Sequence, residues 1–185
     1  MRRRVSGVAA FFLPLLLLLM VVSAVGCGSG VSPNEQSQQQ SVASVEASLR
    51  ARGLTKVTLR IRHADGTIEE HCVWLADSEL ERQRGLMEVS DPTIGGADAM
   101  VFVFDVDSTR AFWMKATPLP LSIAWIDSEG AVVATADMDP CAKATDSCPQ
   151  SPPPRPYRMA IEMAQGRLQD WGIEPGAEVT LAQAC

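Results

Sequence analysis

The segment KVTLRIRH, residues 56–63, sets apolar Val57, Leu59 and Ile61 against polar and charged neighbours with a strict period of two. That period belongs to an extended strand with one face buried. Asp65-Gly66 follows as a hairpin turn signal and TIEEHCVWLA returns, so residues 55–76 read as a hairpin. The texture persists to the end of the chain. AMVFVFDV puts Met100, Phe102 and Phe104 on one face, and RAFWMK is a further strand. LSIAWID and AVVATADM form a hairpin across Ser128-Glu129-Gly130, while YRMAIEM and AEVTLAQ supply two more strands. Two short helices interrupt the series. ADSELERQRGLM carries a capping box, Ser78 with Glu81 three residues on, and Gly85 to end it. AQGRLQDWG stops at Gly172 and Pro175. A long proline-rich loop occupies residues 139–156. Seven or eight strands joined mostly by short turns predict a mainly β (α+β) domain, a small antiparallel β-barrel or folded sheet with two short helices.

The N-terminal residues have a different character. Arg2, Arg3 and Arg4 precede an apolar run from Val8 to Val22, and small residues lead to Cys27. A basic start, a short apolar core and small residues before the cut describe a secretory signal. The run is shorter than the roughly 20 apolar residues of a stable membrane span. Ala24-Val25-Gly26-Cys27 resembles the bacterial lipobox, with Ala24 where leucine is usual. That resemblance implies cleavage before Cys27, thioether lipidation of its sulfur and acylation of the new amino terminus. Acyl chains such as palmitate then anchor the protein, each buried CH₂ contributing about 0.8 kcal/mol. Residues 28–52 are polar and rich in Ser and Gln. The expected organisation is a leader over 1–26, lipidated Cys27 and a flexible polar tether over 27–52, and a single β domain over 53–185. A short helix near residues 42–52 is compatible with that tether. The expected location is the cell envelope, on the extracytoplasmic side of a membrane.

Loss of residues 1–26 leaves 159 residues, enough for one domain with a core, and a net charge of −9. An acidic surface repels phosphates, so nucleic acid is not an expected partner. The membrane is, through the lipid. Four further cysteines fit an oxidising compartment. Cys141 and Cys148 flank six residues of a polar, proline-flanked loop and make a plausible disulfide, worth roughly 2–2.5 kcal/mol in the chain-entropy model. Cys72 and Cys185 are then either a second pair or two free thiols. The cysteine spacing is wide for a zinc knuckle, and His63 and His71 lack a partner pattern, so no metal or other cofactor is expected.

The blocks ERQRGLM, AMVFVF, AFWMK with Thr117 and Leu121, IAWIDSEG and YRMAIEMAQG occur in that order. They resemble the blocks of domain-of-unknown-function family 192 (DUF192) over roughly residues 56–182. The resemblance implies a small, mainly β domain common in exported prokaryotic proteins, and brings little chemistry with it. Three positions depart from the family pattern. Ala116 replaces an Asn after Trp-Met-Lys, Ser122 replaces an Asp, and Ala99 replaces a glycine.

The candidate site lies in that distinctive block. In a strand, Phe112 and Met114 point one way and Trp113 and Lys115 the other. Trp113 then offers a stacking platform and Lys115 a cation for an anionic or sugar-like ligand, with Glu162 of AIEM facing the same cleft. The first expectation is therefore an accessory domain that binds a small molecule or envelope component without turnover. The second is a hydrolase-like or transferase-like enzyme on an envelope glycan, with Lys115 and Glu162 as acid and base. A third is copper handling by Met87, Met100, Met114, Met138, Met159 and Met163, since thioethers favour Cu(I). No nucleophile elbow, phosphate loop or dinucleotide fingerprint is present.

Overall fold

A computed structural model describes residues 33–185 other than Asp146. The leader and Cys27 lie outside the described residues, and so do the expectations attached to them.

The elements run in the order α1 (Pro33–Ala51), β1 (Thr55–Arg62), β2 (Ile68–Ala76), α2 (Glu79–Arg84), β3 (Ala99–Ser108), β4 (Phe112–Trp113), β5 (Leu121–Ile126), β6 (Val132–Met138), β7 (Gln150–Ser151), β8 (Tyr157–Ala164) and β9 (Glu178–Ala184). A 3-10 turn at Gln169–Trp171 precedes β9. Among the described residues there are nine strands: seven in one sheet, ordered β6-β5-β8-β3-β2-β1-β9, and β4 paired with β7.

The expected hairpins form. β1 and β2 pair from Thr55↔Leu75 to Arg62↔Ile68, with Gly66 N donating to His63 O at 2.9 Å in the turn. β5 and β6 pair across the Ser128-Glu129-Gly130 turn. Ser78 caps α2 with the reciprocal Glu81 bonds of a capping box. The sheet is mixed, because β2 and β3 run parallel from Trp74↔Met100 to Ala76↔Phe102. The chain between them, with α2, supplies the crossover that a parallel pair requires.

The strands at the sheet centre read as continuous apolar runs because both their faces are buried. Every residue of β5 is buried. One face packs Trp74, Met100, Phe102, Ile123 and Trp125 beneath Leu49 of α1 and the Leu86–Ala97 segment. The other packs Leu59, Ile61, Val101, Ile161 and Val179 around Leu168, Trp171 and Ile173. The sheet curls about this second cluster until its edge strands meet at one end. Val132 N donates to Ala177 O at 3.0 Å, and Val179 N donates to Gly130 O at 2.7 Å. A Cβ on Gly130 would stand 2.7 Å from Val179 O, so only glycine permits this seam. The result is a folded sheet and not a closed barrel.

Residues 33–51 form a 19-residue helix where the sequence reads as a tether. Helix-favouring Gln, Glu, Ala, Leu and Arg recur through it, with no Gly or Pro after Pro33. Leu49 is fully buried and Val45 packs beside the same cluster. Its end is therefore part of the domain.

The expected Cys141–Cys148 bond is present, and Cys72 and Cys185, which the sequence leaves as a pair or two free thiols, are bonded as well. Cys141–Cys148 clips the proline-rich loop, and Cys72–Cys185 joins β2 to the residue after β9.

Candidate functional site

The site is built on the chain between β3 and β5. Alternation holds through residues 112–115. Phe112 and Met114 pack into the first cluster, Phe112 meeting Phe102 edge-on at 5.2 Å. Trp113 and Lys115 take the other side, with the Lys115 ammonium 4.9 Å from the Trp113 ring centre, a cation–π contact. The strand expected over RAFWMK is only two residues long, because it pairs with the equally short β7.

Beyond Lys115 the backbone is held by the disulfide loop. Thr117 N donates to Cys141 O at 3.1 Å, and Cys141 N returns to Thr117 O at 2.9 Å. Ala116 N donates to Lys143 O at 2.9 Å, and Ala116 O accepts from Glu88 N at 2.8 Å. These bonds hold Ala116 at φ +52°, the left-handed region. Asn tolerates that region better than alanine does. The Asn of the family pattern thus has a backbone reason at this position. Ala116→Asn is expected to stabilise the fold by about 0.5–1 kcal/mol, read as a higher urea midpoint with an unchanged m-value. A lower midpoint would refute the strain argument.

At the second departure, Ser122 Oγ donates to Asp137 Oδ1 on the neighbouring strand at 2.5 Å and accepts from Gly166 N at 2.9 Å. A carboxylate therefore stands one strand away from where the family pattern has its Asp. Ala99, the third, is fully buried in the second cluster.

Trp113 divides the surface hollow into compartments. On one side, a space of about 210 Å³ is walled by Phe102, Phe104, Phe112 and Tyr157 with Arg82 and Arg110. On the other, a space of about 420 Å³ is walled by Leu80, Met87, Lys115, Ala116 and Ala144 with Arg84. Gln83 of α2 and Trp113 border both. Beneath them a narrow cavity of about 30 Å³ runs past Trp113, Phe112 and Thr117 to Glu162.

Glu162 comes from β8, flanked in register by Met100 and Ile123. Its side of the strand faces the first apolar cluster, and it is 4 % exposed. No hydrogen bond or ion pair reaches its carboxyl from the described residues. Burial raises its pKa from 4.5 to about 8, so it holds a proton at neutral pH. Tyr157, at the start of the same strand, is itself raised by burial and to a lesser degree by Glu162. Tyr157 donates to Arg110 O at 2.9 Å.

The charged rim is largely committed. Arg82 donates to Val103 O at 2.8 Å and to Asp77 O, and lies over the Phe104 ring. Arg84 pairs with Glu88 at 3.5 Å, and Arg110 pairs with Glu79 at 2.9 Å.

Trp113 is thus the shared wall of the three sequence candidates. Lys115 borders one upper compartment and Glu162 the floor. Burial, and not a neighbouring cation, governs the Glu162 proton, so the acid–base pairing expected for Lys115 and Glu162 has no electrostatic sign in its shift. Sequence reasoning did not single out Arg82, Gln83, Arg110 or Tyr157. The signal for the first two was the polar face of the capped helix. The methionines are divided across the fold: Met100, Met114 and Met138 lie in one cluster, Met163 in the other with Met159 packed against it, and Met87 on the cleft. Among the described residues no three His, Cys, Asp or Glu side chains form a metal-sized group.

Comparison with known proteins adds a family and a fold. The profile of DUF192, described as an uncharacterized ACR, matches residues 60–181. A candidate transcription regulator from Sinorhizobium meliloti 1021 is similar in structure, with a TM-score of 0.56 and 25% identity over 68% of this chain and 93% of that one. A Novosphingobium aromaticivorans DSM 12444 protein of unknown function is similar too, with a TM-score of 0.56 and 23% identity over 68% of this chain and 84% of that one. No curated protein matches the chain.

Proposed function

The chain belongs to the DUF192 family, and we propose that this member binds a small ligand or envelope component in the Trp113 cleft, without turnover, on the extracytoplasmic side of a membrane. The lipobox-like Ala24–Cys27 stretch supports an anchor through lipid on Cys27. Two disulfides suit an oxidising compartment. The observation that carries the binding reading is Glu162. A buried carboxyl without a partner is costly, by about 1–3 kcal/mol, and this one opens on a cavity below an aromatic wall. A few polar groups converging on an apolar hollow is the form of a ligand site. The cavity also has room for a water that serves Glu162 in the ligand's absence.

The test is a thermal-shift screen of the full chain against small envelope-derived molecules. A ligand of the cleft raises the melting temperature by mass action. Trp113→Ala then removes the rise and leaves the unliganded melting temperature within a few degrees of the parent. A rise that survives Trp113→Ala would place binding elsewhere and end this reading.

A second reading has one observation in its favour. A carboxyl kept protonated at neutral pH suits general acid catalysis on an envelope glycan. It requires glycan turnover that Glu162→Gln abolishes; the binding reading requires none.

A further inference from the structure

We propose that the cleft takes a neutral, polyhydroxylated ligand, a sugar face laid against Trp113 with one hydroxyl reaching down to the Glu162 carboxyl. This rests on the binding reading above and narrows it to a chemical class. Three observations carry it.

The first is the size of the floor. At about 30 Å³ the lower cavity admits one or two water-sized groups and nothing larger. The body of the ligand must stay in the upper compartments, which meet at Trp113, and send down a single small polar group.

The second is what the floor requires. A protonated carboxyl has one O–H to donate and oxygen lone pairs to accept with, and no described residue satisfies either. A hydroxyl both accepts and donates, so it meets both needs at once. An ammonium would first require Glu162 to ionise in a site whose burial opposes that. A carboxylate or phosphate would leave the acceptor side unmet.

The third is the rim. Arg82, Arg84, Arg110 and Lys115 surround the opening, with Glu79 and Glu88 as the acids. Arg84 and Arg110 are already paired with those two acids, and Arg82 Nη1 donates to backbone carbonyls. Gln83, between the compartments, is a neutral donor and acceptor suited to hydroxyls. Trp113, Phe112 and Phe104 give the apolar surface on which the C–H face of a sugar packs.

The groups that face Glu162 determine how binding responds to pH. From β8 and the segment before β4 these are Tyr157 and Arg110, from α2 Arg82 and Arg84, and at the mouth Lys115, Glu79 and Glu88. A ligand held by protonated Glu162 therefore loses affinity as the pH passes about 8.

The experiment is calorimetry and saturation-transfer NMR on the full chain with four probes: N-acetylglucosamine, its soluble trimer, benzoate and butylamine. The expected result is that a sugar probe binds, and that its affinity falls at least tenfold between pH 6 and pH 9.5. Glu162→Gln, which stays neutral and keeps a donor and an acceptor, retains binding and loses the pH dependence; Glu162→Leu loses binding. Preference for the trimer identifies a polymer chain, and equal affinity a free sugar. Butylamine binding that strengthens with pH, or benzoate binding, either one lost in Trp113→Ala, would overturn the sugar assignment and leave the cleft standing. Sugar binding with a flat pH profile in the unmutated protein would overturn the role of Glu162 without recourse to variants. No Trp113-dependent binding of any probe would overturn both the assignment and the cleft.

Discussion

Glu162→Gln is expected to make the protein more stable at neutral pH, by roughly 3 kcal/mol at pH 7, and to flatten the dependence of stability on pH between about 4.5 and 8. The sign follows from the direction of the shift. Burial raises the folded-state pKa from 4.5 to about 8. Across that interval the folded protein keeps a proton that the unfolded chain has released. Stability therefore falls as pH rises, by about 1.4 kcal/mol per unit, and levels off above about 8. The amide has no proton to lose, so this slope vanishes in the variant. Carboxylates of the opposite kind do not confuse the reading. Glu46, Glu79 and Glu81 are lowered from 4.5 and Asp65 from 3.8, so what they contribute is lost only on acidification below the window. Urea denaturation of parent and variant at pH 5, 6.5 and 8 checks it. Parallel stability curves would mean that Glu162 is ionised and solvated.

The second large effect concerns the Cys72–Cys185 bond. It closes a loop with a sequence separation of 113, against 7 for Cys141–Cys148. In the chain-entropy model the long loop contributes about 4–5 kcal/mol and the short one about 2.5 kcal/mol. It also ties β9, an edge strand, to β2 across β1. Cys72→Ala with Cys185→Ala should therefore lower stability more than Cys141→Ala with Cys148→Ala, by roughly 2 kcal/mol. The two double variants differ in a further way. Cys141 and Lys143 hold the backbone of Ala116 and Thr117, so the less destabilised variant is the one expected to weaken binding in the cleft. Chemical denaturation under oxidising conditions, with ligand titration alongside, measures both. Equal losses of stability would contradict the loop-length argument.

The elements that were legible in the sequence are those fixed by nearby residues. The β1–β2 hairpin follows from alternation and Asp65-Gly66, and α2 follows from Ser78 and Glu81. The Cys141–Cys148 bond follows from close spacing in a polar loop. Order within the sheet was not legible. β8 lies between β5 and β3, and β2 runs parallel to β3, through pairings between distant segments that leave no mark on local pattern. Helix α1 was hidden by its polarity, since little more than Val45 and Leu49 reaches the core. At the site, alternation separated Phe112 and Met114 from Trp113 and Lys115 correctly, because it depends on the strand alone. Glu162 was a candidate by residue type. Its burial and its missing partner arise from Met100 and Ile123 on either side, and from the Phe112–Thr117 segment folded over it. Arg82 and Gln83 join the cleft from α2 and Tyr157 from β8, and no spacing within either element announces it.

The most direct test is to follow the Glu162 side-chain carboxyl itself, by carbon-13 NMR of the glutamate-labelled full chain titrated from pH 4 to 10, with Glu162→Gln to assign the signal. A carboxyl buried below Trp113 without a partner titrates near pH 8, and its midpoint moves higher when a hydroxyl-bearing ligand occupies the cleft. A midpoint near 4.5, unmoved by any ligand, would show an ordinary solvated carboxylate and leave the cleft without its floor.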